Sequence, residues 1–145
     1  MKIFVVDDDI FCQQLYRQFL LNLGYEDVET MDCGTACIEN LYKDPHLVFL
    51  DYDMNDMNGI EVLQTIRQYD STINVVFISG QESVEIAVDT LHYGAFDYIV
   101  KARATPQLLE AIIESMEAER KMLGKYVNES FFQKIIKDLG LSLHP

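Results

Sequence analysis

LVFLDYD, residues 47–53, decides the fold: four apolar residues lead directly into the acidic residues Asp51 and Asp53. Two similar apolar runs occur elsewhere, IFVV at residues 3–6 and INVVFI at residues 73–78. Short apolar runs rich in β-branched and aromatic residues are typical of strands that are buried on both faces. We therefore predict that these three runs form the central strands of a parallel sheet.

The segments between these runs have helical periodicity. Phe11, Leu15 and Phe19 recur every four residues after the first strand, as on one face of an amphipathic helix. Alternating strands and helices build a parallel sheet that is covered by helices on both faces. Besides the central strands, we predict weaker strands near residues 26–31 and 96–100, and helices near residues 9–23, 33–43, 58–69, 82–93 and 105–122.

The polar second strand predicts the order of the strands. EDVETM at residues 26–31 is far more polar than the other strands and suits the edge of a sheet better than its middle. This favours the order 2-1-3-4-5 of a flavodoxin-like, doubly wound (βα)5 fold. Gly24 and the dipeptide Asp44-Pro45 stand where the first and second helices have to end.

Composition narrows the class of protein. The length of 145 residues suits one globular domain, and the net charge of −13 argues against direct binding of nucleic acid, whose phosphates are held by Lys and Arg. No apolar run approaches the roughly 20 residues that span a bilayer, and the first residues lack the pattern of a signal peptide. Cys12, Cys33 and Cys37 are odd in number, so we expect free thiols and a cytoplasmic protein.

Residues 123–145 exceed what five strand-helix units require. We assign residues 1–122 to the main domain and the rest to a C-terminal extension. In this extension Asn128 is expected to cap a short amphipathic helix that ends at Gly140. Its apolar face requires a partner, which is the main domain, a second copy of the chain or an output region that follows. The face consists of Phe131, Phe132, Ile135, Ile136 and Leu139.

Polar residues follow four of the predicted strands. In an open parallel sheet, ligands bind outside the carboxyl ends of the strands, at the point where the strand order reverses. Here that point lies between the first and third strands. The residues that reach this edge are Asp7, Asp8 and Asp9 after the first strand, Asp51 and Asp53 after the third, Ser79 and Gly80 after the fourth, and Lys101 after the fifth.

This combination of residue types is suited to metal-assisted phosphoryl transfer. Adjacent carboxylates repel one another unless a cation lies among them, and oxygen ligands are what Mg²⁺ prefers, so Asp7, Asp8 and Asp51 predict a Mg²⁺ site. A carboxylate such as Asp51 can attack phosphorus if the charge of the transferring group is neutralised, here by Mg²⁺ and Lys101. The hydroxyl of Ser79 can donate a hydrogen bond to a phosphoryl oxygen. Asp9 is interpreted as a helix cap.

Residues 1–122 resemble the response-regulator receiver family of two-component signalling. The family's acidic pair after the first strand resembles Asp7 and Asp8, and its D-x-x-M-x-x-M-x-G motif resembles the segment from Asp51 to Gly59. Its hydroxyl residue after the fourth strand resembles Ser79. The FDYIVK segment at residues 96–101 resembles the family's switch aromatic at Tyr98 and its lysine at Lys101.

The resemblance implies a phosphorelay function. Asp51 is then the phosphoacceptor, and a histidine kinase or a histidine phosphotransfer protein is the donor. Mg²⁺ is bound directly by Asp8, Asp51 and the backbone carbonyl of Asp53, and through water by Asp7. Ser79 and Tyr98 are implied to move together and to alter the surface around the fourth helix and fifth strand, which controls binding of a protein target or self-association. No turnover of a separate substrate is expected.

Two departures from the family pattern keep other functions open. Ala102 stands where the family usually has a proline after the lysine, often with a cis peptide, and Asn55 stands where it favours a proline in the loop after the phosphoacceptor. One alternative is a receiver-like interaction module that is not phosphorylated. The other is an aspartate-based phosphohydrolase, because DYD at residues 51–53 also resembles the D-x-D motif of the haloacid-dehalogenase family, although there the nucleophile follows the first core strand.

Overall fold

Five parallel strands form a single sheet in a computed structural model of the chain, which describes residues 1–140 except for the side chains of 125–132 and 135. The strand order is β2-β1-β3-β4-β5, which confirms the predicted flavodoxin-like fold. The strands are β1 (Ile3–Val6), β2 (Val28–Met31), β3 (Leu47–Leu50), β4 (Asn74–Ser79) and β5 (Asp97–Val100).

Helices alternate with the strands. Short 3-10 turns follow the second helix at Leu41–Lys43 and the fifth strand at Lys101–Arg103. The helices are α1 (Ile10–Asn22), α2 (Gly34–Glu39), α3 (Gly59–Tyr69), α4 (Val84–His92) and α5 (Pro106–Asp138). Residues 1–110 form one compact unit that contains every strand and α1 to α4, and the second unit begins at Ala111 within α5.

Burial explains why the strands were predictable. All four residues of β1 and of β3 are buried, as expected for central strands with helices on both faces. In β2 only Met31 is buried, which agrees with its position at the edge of the sheet.

The register of the sheet aligns the polar residues that follow the strands. Val6 of β1 pairs with Leu50 of β3, so that Asp7 and Asp51 are the next residues on two neighbouring strands. Ser79 of β4 pairs with Val100 of β5, directly before Lys101. The carboxyl ends of four strands therefore bring these residues to one edge of the sheet.

Left-handed backbone conformations occur at both predicted helix ends, but α2 itself already ends at Glu39, five residues before Asp44. Gly24 has a φ of 96° after α1, and the N–H groups of Gly24 and Tyr25 bond to the carbonyls of Leu21 and Leu20, as in a Schellman motif. Asp44, with a φ of 57°, ends the 3-10 turn that precedes Pro45.

The C-terminal extension is helical up to Asp138, as predicted, but its helix is not a separate one that begins at Asn128. It is the continuation of α5, which runs from Pro106 without interruption. The physical reason is that Gly124 and Asn128 each cost a helix only about 1 kcal/mol or less, which is too little to stop it. Gly140, with a φ of 66°, follows its end as predicted. Residues 141–145 lie outside the described residues.

Among the described residues, no helix combines the length and the apolar composition that crossing a membrane requires.

The three cysteines are free thiols, as predicted.

Candidate functional site

Asp7 and Asp51 are buried carboxylates at the carboxyl edge of the sheet. Asp7 is 2% exposed and Asp51 is 5% exposed, so both have lost most of their contact with water. The carboxylate of Asp7 accepts a hydrogen bond of 2.9 Å from the backbone N–H of Asp9. Buried carboxylates require compensating charge, and the site supplies it from the 3-10 turn that follows β5.

Lys101 places its ammonium group beside both buried carboxylates. Its Nζ lies 2.9 Å from Oδ2 of Asp7 and 3.4 Å from Oδ2 of Asp51. Burial lowers the pKa of Lys101, but the hydrogen bond with Asp7 and the charges of both carboxylates outweigh it and raise the pKa, so the ammonium group stays charged. The peptide bonds of the described residues are all trans, including the one between Lys101 and Ala102.

Asp51 has a carboxyl group whose acidity is changed by its surroundings. Burial and the charge of Asp7 raise the pKa of Asp51 to about 7, against the opposing charge of Lys101. Without a further cation, this carboxyl group is therefore partly protonated at neutral pH. A second positive charge beside it would return it to the ionised form.

Asp8 completes a group that can hold a metal ion. One oxygen each from Asp7, Asp8 and Asp51 lie within 4.8 Å of one another, and Asp8 is more exposed than the other two. Three carboxylates face one ammonium group, which leaves two negative charges uncompensated when all are ionised. Hard oxygen ligands with this excess charge fit Mg²⁺.

Asp53 lies apart from this group. Its side chain is exposed, and its carboxylate accepts a hydrogen bond of 2.6 Å from Nε2 of Gln81. The metal ligand predicted at Asp53 is its backbone carbonyl, not this side chain.

Ser79 and Tyr98 both contact Gln81, in the loop after β4. The fully buried Ser79 hydroxyl accepts a hydrogen bond of 3.1 Å from the backbone N–H of Gln81. The half-buried Tyr98 hydroxyl donates one of 2.8 Å to the backbone carbonyl of the same residue. Burial raises the pKa of Tyr98 although a hydrogen bond with Ser79 lowers it, so the hydroxyl keeps its proton at neutral pH. The loop is thus tied to both residues that the sequence predicted as a switch.

Three polar residues near the site were missed by the sequence interpretation. Gln13 of α1 is buried, and its Nε2 donates to the carbonyls of Asp7 at 3.2 Å and Met31 at 3.0 Å, which ties together the ends of β1 and β2. No pattern in the sequence marked it. The periodicity predicted that Phe11, Leu15 and Phe19 form the apolar face of α1, but Phe11 is 72% exposed, and the buried residues of this helix are Gln13, Tyr16 and Leu20. Gln81 and Asp56 lie in loops, and no sequence pattern marked them as part of the site. Asp9 caps α1 by accepting hydrogen bonds from Phe11 and Cys12, as predicted.

The chain matches a protein-family model and is similar in sequence to known proteins. The model, described as the response regulator receiver domain, matches residues 3–113. The chemotaxis protein CheY of Bacillus subtilis is 32% identical over 117 residues, which cover 79% of this chain and 97% of that protein. The luminescence regulatory protein LuxO of Vibrio campbellii is 26% identical over 86% of this chain, which spans about a quarter, 27%, of that protein's length.

Solved structures agree with this similarity. The receiver domain of a LuxO repressor protein from Vibrio parahaemolyticus has a TM-score of 0.76 at 27% identity and covers 87% of this chain and 95% of its own. CheY in a complex with CheX, BeF3 and Mg²⁺ from Borrelia burgdorferi has a TM-score of 0.73 at 26% identity, over 79% of this chain and 87% of its own.

Proposed function

The chain belongs to the response regulator receiver domain family, and from this premise we propose that Asp51 accepts a phosphoryl group from a histidine kinase or a histidine phosphotransfer protein. The single observation that carries the proposal is the contact of Lys101 with both Asp7 and Asp51, at distances of 2.9 Å and 3.4 Å. This contact joins a nucleophile, a cation and a second carboxylate at one edge of the sheet.

The reaction is a transfer between two residues. A carboxylate oxygen of Asp51 attacks phosphorus, the bond from phosphorus to the donor's imidazole nitrogen breaks, and an acyl phosphate forms on Asp51. Lys101 neutralises charge on the transferring group, and the Ser79 hydroxyl donates a hydrogen bond to a phosphoryl oxygen of the product.

Mg²⁺ is the proposed cofactor. When bound, it supplies positive charge for the equatorial phosphoryl oxygens. We propose that Asp8, Asp51 and the backbone carbonyl of Asp53 bind it directly and that Asp7 binds it through water. The uncompensated negative charge of the three clustered carboxylates supports this assignment.

The output of the switch is proposed to be the surface of α4 and β5. When Ser79 turns towards a phosphoryl group, its hydrogen bond from Gln81 has to change, and Tyr98 is bonded to the same residue. Beside Tyr98 lies a cavity of about 320 Å³, which Val84, Ala87 and Arg103 also line. Val84, Val88 and Leu91 expose apolar surface on α4. A protein target or a second copy of the chain would bind to this surface. We propose that this binding takes place in the cytoplasm, and that the chain neither binds nucleic acid directly nor inserts into a membrane.

In the proposed reaction the phosphoryl group is transferred to the chain itself. The chain therefore assists its own phosphorylation and dephosphorylation and does not turn over a separate substrate. Incubation of the full chain with Mg²⁺ and a small-molecule phosphodonor, followed by intact mass measurement, tests this. We expect one phosphoryl adduct, its loss in Asp51→Asn and its retention in Asp53→Asn, which removes an exposed carboxylate two residues away.

The other outcomes of this experiment identify the alternatives. Steady hydrolysis of many phosphomonoesters would indicate the phosphohydrolase. A protein that binds Mg²⁺ but gains no adduct from any donor would be a receiver-like interaction module. An adduct that persists in Asp51→Asn would contradict the assignment of the phosphoacceptor.

A further inference from the structure

The loop between β3 and α3 carries the proposed ligand carbonyl of Asp53. It spans residues 51–58, which form neither helix nor strand. Asn55 occupies the place where a proline would have restricted the backbone. Something else has to hold this loop if the carbonyl of Asp53 is to be ready for a metal ion.

Asp56 ties the loop to the start of α2. Its carboxylate accepts hydrogen bonds from the backbone N–H of Gly34 at 3.1 Å, the backbone N–H of Thr35 at 2.8 Å and the hydroxyl of Thr35 at 2.7 Å. These backbone N–H groups belong to the first turn of a helix and have no partner within it. The contacts join segments that lie more than 20 residues apart in the sequence.

Asp56 is ionised throughout the pH range in which proteins work. Burial alone would raise its pKa, but the hydrogen bonds from Thr35, Gly34 and the backbone of Met57 outweigh this effect and lower the pKa to about 2. Hydrogen bonds to a charged acceptor are stronger than those between neutral groups.

Met57 adds an independent contact at the same turn. A Cβ atom placed on Gly34 would lie 2.5 Å from Cγ of Met57 and 2.7 Å from Cγ2 of Val62. The backbone of Gly34 is therefore in close contact with the residue that follows Asp56. Two neighbouring loop residues, one polar and one apolar, are held against the first turn of α2.

We propose that Asp56 is a positioning residue, which anchors the β3-α3 loop on α2 so that the Asp53 carbonyl is held in place for Mg²⁺. This inference rests on the proposed function, because it assigns to Asp56 a part in the same metal site. Asp56 itself contacts neither metal nor phosphoryl group. Without the anchor, Mg²⁺ has to order the loop as it binds, and its affinity falls.

Asp70 offers a matched control. Its carboxylate also accepts hydrogen bonds from a backbone N–H and a hydroxyl, both of Thr72, at 2.9 Å and 2.6 Å. Thr72 lies in the loop that leads into β4, at the opposite edge of the sheet from the site. Asp70→Ala thus removes a similar set of hydrogen bonds without touching the β3-α3 loop.

The test is a calorimetric titration of the full chain with MgCl2, well below the melting temperature of each variant. We expect Asp56→Ala to weaken Mg²⁺ binding about tenfold, Asp56→Asn to weaken it less, and Asp70→Ala to stay within about twofold of the wild type. In the phosphorylation assay, Asp56→Ala should raise the Mg²⁺ concentration for half-maximal rate and leave the rate at saturating Mg²⁺ nearly unchanged.

The opposite results would overturn the inference. Wild-type affinity in a folded Asp56→Ala protein, or equal losses in Asp56→Ala and Asp70→Ala, would reduce Asp56 to a structural residue. If Asp56→Ala does not fold, Thr35→Val replaces it in the test, because it removes one of the three hydrogen bonds and should also weaken Mg²⁺ binding. Unchanged Mg²⁺ affinity in Thr35→Val would then overturn the inference. Failure of the proposed function is distinct, because the wild type itself would then lack Mg²⁺ binding or the phosphoryl adduct.

Discussion

Asp51 is a buried carboxyl group whose pKa is raised from 3.8 to about 7 by burial and by the charge of Asp7. Between these two values the folded protein binds more protons than the unfolded chain. The free energy of unfolding therefore falls as the pH rises through this window, and the loss is complete above pH 7. In the absence of metal, the proposed nucleophile makes the fold less stable at neutral pH.

Replacing this carboxyl group by a neutral amide should remove the pH-dependent loss. We expect Asp51→Asn to raise the free energy of unfolding at pH 8 in EDTA by up to about 4 kcal/mol, which is the full shift at about 1.4 kcal/mol per pKa unit. The gain should shrink towards pH 5, where Asp51 is protonated in the folded wild type. Urea denaturation of both proteins at several pH values measures it. A gain that is constant with pH, or a loss at pH 8, would contradict the raised pKa.

The residues of the site differ in how far the sequence predicted them. Asp7, Asp51 and Lys101 directly follow strands, so the strand prediction alone brought them together. Asp56 and Gln81 act through side chains that reach from one loop to another segment. Such contacts depend on the path of each loop, which no periodicity in the sequence records.

Strands and helices were predicted well where burial controls the pattern of apolar residues, and less well at their ends. The helix predicted over residues 33–43 is α2 followed by a 3-10 turn. At the break, the side chain of Asn40 donates a hydrogen bond of 2.7 Å to the carbonyl of Ala36. Asparagine side chains compete for backbone groups in this way and so favour helix ends. The full length of α5 was missed because Asn128 was interpreted as the cap of a separate helix, although the sequence contains no strong stop after residue 122.

The C-terminal end of α1 permits a test at the scale of one element. Gly24 has a φ of 96°, and no atom lies within 4 Å of a Cβ placed on it, so alanine there is penalised by the backbone conformation alone. We expect Gly24→Ala to lower the free energy of unfolding by about 1 kcal/mol.

Gly124 provides the control for that test. It also has open space around a Cβ, but it lies within α5 without a positive φ. Gly124→Ala should not destabilise the protein and should keep or raise its helical circular dichroism signal. Equal losses in Gly24→Ala and Gly124→Ala, measured by urea denaturation, would exclude the left-handed helix end as the cause.

At the scale of the whole molecule, the net charge of −13 governs how the protein interacts with cations in general. The chain carries 24 acidic and 11 Lys and Arg residues, so any cation is attracted to it without specific binding. A specific Mg²⁺ site differs from this general attraction because it exists in the folded protein only. Binding to the folded form alone raises the melting temperature in proportion to the logarithm of the ligand concentration.

This difference gives a test of the metal site that does not depend on phosphorylation. At a Mg²⁺ concentration 100 times its Kd, binding adds about 2.7 kcal/mol of stability, which raises the melting temperature by about 10 °C for a domain of this size. Asp8→Ala should abolish the rise, because it removes one of the three clustered carboxylates. Asp89→Ala, which removes an exposed carboxylate from α4 and changes the net charge equally, should keep it. Scanning calorimetry at constant ionic strength separates the cases: equal rises in all three proteins would mean that Mg²⁺ acts on the overall charge and has no site at the edge of the sheet.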